Sequence, residues 1–419
     1  MKNMSYVSIR RNFRSAFGLA IVVLLVHAAI AQSRYRIDDL GTLRGGVFGC
    51  AMGLNNKGWT EVMDTLLDPG SGNLLLRASV RINGLKIDLG TFGGPNSWTN
   101  WGGINERGDA VGYAETPQPD PNGEDFCFFG TQLTCRPFLW HQGNMSQLPT
   151  LGGNNGQASA INSRGQISGT AETTMPDAGC PPYQTAPPVL WTKGNAQQLP
   201  TIAGDPDGIA FGLNDRGQAV GYTGTCTQAL HAVLWDNNRA VELPNLGTES
   251  SNTAYAINNR GQVVGQVASA DGTTFYAVLW QEGAVTNLGT LPGDFASFAT
   301  GINDKGQIVG SNLDANFNFT HGFIWQDGVM TDLNTLLPAN SYLYVTMANR
   351  INSHGQISGM ATDLKTGTIH AFLASPVDGS NDEALAARNR GGHAPKANVP
   401  GNFRRGLMGP GRGTLNATR

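Results

Sequence analysis

After Ala31 this 419-residue chain has no long apolar run, no stretch of helical period and little charge. The first absence leaves no second segment able to cross a membrane as a helix, and the second argues against a helical domain. Charged residues make up 14% of the chain, with a formal net charge of −3. Residues 1–31 contribute +4 and residues 375–419 a further +4, so residues 32–374 carry −11. An acidic body argues against a nucleic-acid-binding face. The strings His-Glu-x-x-His, Cys-x-x-Cys and Gly-x-Ser-x-Gly are missing, as is the sialidase-type Ser-x-Asp-x-Gly-x-x-Trp box. No Asp-x-Asp-x-Asp run sets up a calcium cage. The few cysteines, five in all, have no zinc-like spacing.

What the chain does have is glycine, 56 residues, which fits a turn-rich protein, and one phrase repeated seven times. Ala-x-Gly-Ile-Asn-x-x-Gly-Gln-x-x-Gly recurs around Asn55, Asn105, Asn162, Asn214, Asn258, Asn303 and Asn352, at spacings of 44 to 57 residues. Self-similarity at such a period marks a repeat architecture. Each repeat holds four short segments of strand character. Segment a is Ala-x-Gly-Ile-Asn, b is Gly-Gln-Val-Val-Gly, c is His-Ala-Val-Leu-Trp, and d is Val-x-x-Leu-Gly-Thr-Leu. Asn-x-x-Gly reads as a tight a–b hairpin, and Trp-x-x-Gly, as in Trp280–Gly283 and Trp325–Gly328, as the c–d turn.

Four antiparallel strands per repeat are the blade pattern of a β-propeller. The chain ends complete the count. A lone d segment, Tyr35–Leu43, opens the body, and a c segment, His370–Leu373, closes it without a d of its own. The expectation is an all-β, seven-bladed β-propeller over residues 32–374, closed by the N-terminal strand completing the last blade. Closure removes two open sheet edges.

The segments His231-Ala-Val-Leu-Trp235, His321-Gly-Phe-Ile-Trp325 and His370-Ala-Phe-Leu373, with Gly-Ile-Asn-x-x-Gly-Gln-x-Val-Gly, resemble the HAF-repeat family of bacterial extracellular proteins. The resemblance covers residues 35–374. It implies secretion and a repeated β fold, and no settled activity. Blade one departs from it with Arg77-Ala-Ser-Val-Arg81, and blades two and three start segment c with Arg136-Pro137 and Pro187-Pro188.

Residues 1–31 read as a signal peptide. Lys2, Arg10, Arg11 and Arg14 precede an apolar run from Ala16 to Ala31, and Ala29-Ile30-Ala31 offers a cleavage site. Arg10-Arg11-Asn12-Phe13 resembles a twin-arginine signal, with ordinary secretion as the default. The expected location is extracellular or periplasmic, where disulfides are permitted. Cys127–Cys135 and Cys180–Cys226 are the expected pairs with Cys50 left over, although connectivity is not readable from sequence. Residues 375–419 are Gly-, Pro- and Arg-rich and read as a disordered tail.

Candidate chemistry is sparse. His231, His321 and His370 repeat at one place in separate blades, so they read as packing or hydrogen-bonding elements and not as metal ligands, which must converge. His141 and His354 fall at or near turns and read as solvated. Trp140, Trp191, Trp235, Trp280 and Trp325 end segment c and are expected to pack between blades. Trp98 and Trp101 are off-pattern, Trp101 standing where the other six repeats have alanine. Tyr342 and Tyr344 occupy the matching place in blade seven, and Arg350 replaces a Gly or Ala near the axis. These five are the ligand-binding candidates, against the plainer alternative that the rings pack under a loop. The b–c connections vary, from Ala114 to Cys135 in blade two and Ala171 to Pro187 in blade three. Glu115, Asp120, Glu124, Asp125, Glu172 and Asp177 make that side acidic. Long loops on a rigid scaffold are where recognition sits. Calcium is a weak expectation, and no other cofactor is indicated. The reading is a secreted, monomeric, non-catalytic binder of a glycan or protein. The alternatives are a hydrolase or lyase acting on a polysaccharide at an axial pocket, and a structural envelope or matrix protein.

Overall fold

A computed structural model describes residues 34–225, 228–247, 251–269 and 273–377. The expected signal peptide, Cys226 and the tail beyond residue 377 lie outside the described residues. Seven four-stranded antiparallel sheets form a ring, a seven-bladed β-propeller. Blade one is Gly49–Leu54, Thr60–Leu67, Leu74–Ile82 and Leu85–Asp88, from the axis outward. Blades two to six repeat that order. Blade seven is Leu343–Ile351, Ile357–Asp363 and Ile369–Val377, and its outer strand is Arg34–Gly41 from the other end of the chain. Asp38 lies opposite Leu373, and Arg34 opposite Val377. The last strand therefore runs three residues past the boundary expected at 374. A single 3-10 turn, Leu333–Leu336, interrupts the β structure of the described residues.

The repeated phrase is explained position by position. In every a–b turn the Asn Oδ1 accepts two backbone N–H bonds, as Asn214 does from Arg216 and Gln218. Asparagine suits a turn because its side chain mimics a backbone turn. Its Nδ2 does something the turn does not require: it donates to the main-chain carbonyl of the corresponding Asn in the next blade. The bonds run Asn55 to Asn105 at 3.0 Å, Asn105 to Asn162 at 3.4 Å and Asn162 to Asn214 at 3.0 Å. They continue Asn214 to Asn258 at 3.0 Å, Asn258 to Asn303 at 2.9 Å and Asn303 to Asn352 at 3.0 Å. Asn352 donates to Asn55 at 3.0 Å and closes the circle. All seven side chains are buried, so each bond satisfies an amide N–H that would otherwise be stranded away from water. The carbonyl it reaches also accepts from the glycine N–H of its own turn.

The glutamine four residues on has two partners. Gln262 Oε1 accepts from Asn258 Nδ2, and its Nε2 donates to Gln281 at the end of the third strand. Gln218 and Gln356 make the same relay to Asp236 and Ser375. Blade two has Asp109 in place of glutamine, and His141 Nδ1 lies 2.5 Å from its carboxylate. His141, read as solvated, is thus half exposed but paired.

Close approach explains the last glycine of the phrase. A Cβ on Gly310 would sit 2.1 Å from the Phe298 carbonyl and 2.7 Å from the Phe323 ring, the residue paired with it on the third strand. Blade one reverses the sizes, pairing Val62 with Ser79, so its departure from His-Ala-Phe preserves volume. Six inner strands bulge between the Ala of the phrase and the residue two on, as at Ala210/Gly212. In blade two, where Trp101 takes that alanine's place, the inner strand is only Ser97–Trp98. The c–d turns have two consecutive residues with positive φ, as at Glu282 and Gly283, the type I′ geometry matched to strand twist. Trp191, Trp235 and Trp280 pack between blades as expected, each donating its indole N–H to Pro149, Pro200 or Pro244 at the outer edge of the preceding blade.

Ring closure carries a polar clasp as well as strand pairing. Asp39 on the N-terminal strand meets His370 Nδ1 at 2.9 Å and accepts from the Tyr342 hydroxyl at 3.1 Å. Burial pushes the Asp39 carboxyl up, but hydrogen bonds from His370, Gly41 and Tyr342 outweigh it and leave the group below its usual 3.8. Hydrogen bonding to Asp39 raises His370 above its usual 6.5, against burial and Lys86; Asp363 raises it further. The His370 contribution is complete below pH 6.5 and fades as pH rises through the folded-state value. The Asp39 contribution is present above 3.8 and fades as pH falls. The clasp therefore stabilises the ring most between about pH 4 and pH 6.5. The difference in melting temperature between wild type and His370→Gln should be largest in that window and shrink above it. A difference that grows above pH 7 would contradict the clasp.

Candidate functional site

The axis is filled. Alternate residues of each inner strand face inward, and where the phrase leaves a variable position the chain places Met52, Phe211 and Tyr255. Two residues earlier on the inner strands it places Cys50, Ile209, Phe298 and Met347. All are buried in a single apolar cluster that includes residues from every blade. Trp101, 1% exposed, reaches across from blade two, its ring 5.4 Å from that of Tyr255 in blade five. The Cys50 thiol is free, buried and pushed upward in pKa by that burial, with Asn349 Nδ2 donating to it at 3.2 Å.

The five ligand candidates divide accordingly. Trp98 is 5% exposed and lies under the long loop of blade two, 6.1 Å from the Phe129 ring. Trp98 and Trp101 thus pack in the core, so neither offers a stacking face. Tyr344 is also buried, near His321. Tyr342 is 36% exposed, but its hydroxyl holds the closing strand and Lys365 Nζ covers its ring at 4.1 Å. Half-buried Arg350 donates to the Thr300 and Asn349 carbonyls and lies over Trp101 at 5.8 Å. The anionic group it meets is internal. Glu61, which stands where other repeats have Val or Ser, faces it across Gly102 and Gly103. Burial lowers Arg350 to about 9 while Glu61 holds it up, and burial raises Glu61 despite Arg350. The structure does not bring the five candidates into one site.

The repeated histidines each have one aspartate. His231 Nδ1 is 2.7 Å from Asp205 and His321 Nδ1 is 2.8 Å from Asp294. Among the described residues no group of three or more His, Cys, Asp or Glu side chains is placed to hold a metal ion.

The face opposite the asparagine ring is irregular. Cys127 and Cys135 form the expected disulfide, fastening the blade-two loop to its third strand. Cys180 is also disulfide-bonded; its expected partner Cys226 lies outside the described residues. Two glutamates at equivalent places, Glu115 and Glu172, tie down the entries to blades two and three. Each accepts on Oε2 from both the main-chain and side-chain nitrogens of an asparagine, Asn96 in blade two and Asn155 in blade three. The loops leave a groove of about 590 Å3 between blades three and four. Pro176, Asp177, Gly179, Thr185, Asp205 and Pro206 line it, and Met175 beside it is 64% exposed. A second cleft near Phe126 and Tyr222 holds only about 40 Å3, room for little more than water. The sequence pointed to this face through its variable loops but missed the groove, which needs the 174–187 loop and the 204–206 turn side by side.

Truncating Trp101 removes the centre of the axial packing. Trp101→Ala should lose about 3–5 kcal/mol of stability by urea unfolding, as large aromatic deletions in cores do. A loss below about 1 kcal/mol would mean that the ring is not a core element.

No protein family model matches this chain, and no curated protein sequence does. Solved structures give distant likenesses. An acylaminoacyl peptidase, in complex with Z-Gly-Gly-Phe-chloromethyl ketone, is 13% identical with a TM-score of 0.43 over 75% of this chain and 50% of that one. The chain thus spans about half the length of that peptidase. A gluconolactonase from Xanthomonas campestris is 10% identical, TM-score 0.39, over 84% and 93% of the two chains. A puromycin hydrolase mutant is 11% identical, TM-score 0.41, over 84% and 58%.

Proposed function

We propose that the protein is an exported, non-catalytic binding module that takes a glycan or a peptide in the groove between blades three and four. One observation carries the reading: a buried apolar cluster closes the axis while the loop face holds a groove of about 590 Å3, within the usual size of ligand sites. Its polar groups are fixed in advance. Asp205 is held by His231 and Thr223, and Asp177 Oδ1 accepts from the Gly179 N–H. Met175 and the prolines supply apolar contact. A hydrolase or lyase working at the axis would need a chamber where Trp101 and Tyr255 touch.

Export and membership of the HAF-repeat family belong to the same proposal. They are supported by the basic and apolar N-terminal sequence, the His-Ala-Phe-like third strands and a disulfide suited to an oxidising compartment. None of the helices in the described residues is long and apolar enough to cross a membrane.

Gly179 is exposed, has ordinary φ, and its added Cβ would meet only Asp177 Oδ1 at 3.4 Å. Gly179→Trp should therefore fill the groove without disturbing the fold. On glycan and peptide arrays, ligands captured by wild type should lose at least about tenfold in affinity, or 1.4 kcal/mol. Thr192→Trp, on the opposite face, should bind as wild type does. Undiminished capture by Gly179→Trp would remove the groove as the site.

A further inference from the structure

We propose that a calcium ion binds between blades two and three, held by Glu124, Glu172 and the amide oxygen of Gln184. The comparison between the two equivalent glutamates carries the argument. Glu115 uses Oε2 to clamp Asn96, and its other oxygen accepts from the Thr131 hydroxyl. Glu172 makes the same clamp on Asn155, but its Oε1 is buried with no donor. The Glu172 carboxyl also lies within interaction range of a second carboxyl, Glu124, whose Oε2 is likewise buried without a donor. Glu172 is 0% and Glu124 1% exposed.

A third oxygen joins them. Gln184 donates its main-chain N–H to Glu124 Oε1 at 3.2 Å, and its own side-chain Oε1 is buried with no donor. That atom lies beside Gly153, where an added Cβ would meet it at 2.7 Å and the Glu172 Cβ at 2.5 Å. Three neighbouring segments thus each carry a buried oxygen without a donor, and stranding even one such group is costly. One proton can join two carboxyl oxygens but leaves the amide oxygen unmet. A cation can take all three.

Local charge agrees. Asp120, Glu124 and Glu172 are opposed by one cation, Arg136, so the cluster lacks two positive charges when its acids are ionised. Asp120 is already committed to Asn122, Glu124 and Asn155, and this accounts for why three acids do not converge. An all-oxygen donor set on loops of irregular geometry suits calcium better than zinc or magnesium.

The test uses the full chain, stripped with a chelator and titrated with calcium chloride by calorimetry, with melting temperature followed in parallel. Wild type should bind one ion with a Kd of about 0.1–1 mM, as extracellular modules do, and its melting temperature should rise with calcium. Glu172→Gln and Glu124→Gln should each weaken binding at least tenfold, and Glu115→Gln should leave it unchanged. No binding heat with a flat melting temperature would overturn the proposal. So would undiminished binding in either Glu172→Gln or Glu124→Gln. Groove binding by the chelated protein is read separately on the arrays, so either claim can fail alone.

Discussion

One side-chain amide, used seven times, governs this molecule. A turn-forming asparagine ordinarily serves its own hairpin, and here its Oδ1 does so. Its Nδ2 reaches the next blade, so every hairpin is bonded to its neighbour and the last, Asn352, to the first, Asn55. A ring of identical bonds imposes one spacing on all blades at that face. Each contributes only about 0.5–1.5 kcal/mol net, but breaking one strands a buried amide N–H, while the carbonyl it leaves keeps only the glycine N–H of its own turn. The strand clasped by Asp39 and His370 closes the same ring at its outer edge.

This constraint explains where variation is tolerated. Blade one has lost the glutamine, the close-packed glycine and the His-Ala-Phe segment, and blade two has lost most of its inner strand. Both keep their asparagine. Blade two replaces its own glutamine by Asp109 paired with His141, and blade one makes good its missing glycine with Val62 opposite Ser79. The opposite face has no comparable belt, and there the loops lengthen, acquire the Cys127–Cys135 bridge and form the groove. A rigid face and a free face are what a binding scaffold needs.

Much of the fold was legible because repeats convert local patterns into global count. Seven a, b, c and d segments, with the odd strand at the wrong end, imply closure before any contact is known. The asparagine ring was not legible, since Asn-x-x-Gly is already sufficient as a turn and nothing local reveals a bond to a residue about fifty positions away. The packed axis was missed for a related reason. The repeat draws attention to Ala and Gly, while the filling comes from the variable residue between them, Met52, Phe211 and Tyr255. Trp98 and Trp101 stood out as off-pattern, but that they pack against Phe129, Tyr255 and Arg350 from other segments is not visible in a single repeat. Long loops marked the correct face; which loops lie together is decided by tertiary packing.

The most direct measurement on the central claim is the stability of Asn214→Asp. Aspartate preserves the shape and the two acceptor bonds of the turn, and replaces the donor to Asn258 and Gln218 by a carboxylate oxygen facing both acceptors. Urea unfolding at pH 7 should show a loss of about 2–4 kcal/mol, the cost of exchanging a buried donor for a buried carboxylate oxygen. Stability within about 0.5 kcal/mol of wild type would show that the hairpins stand alone and that the ring of amides does not hold the propeller together.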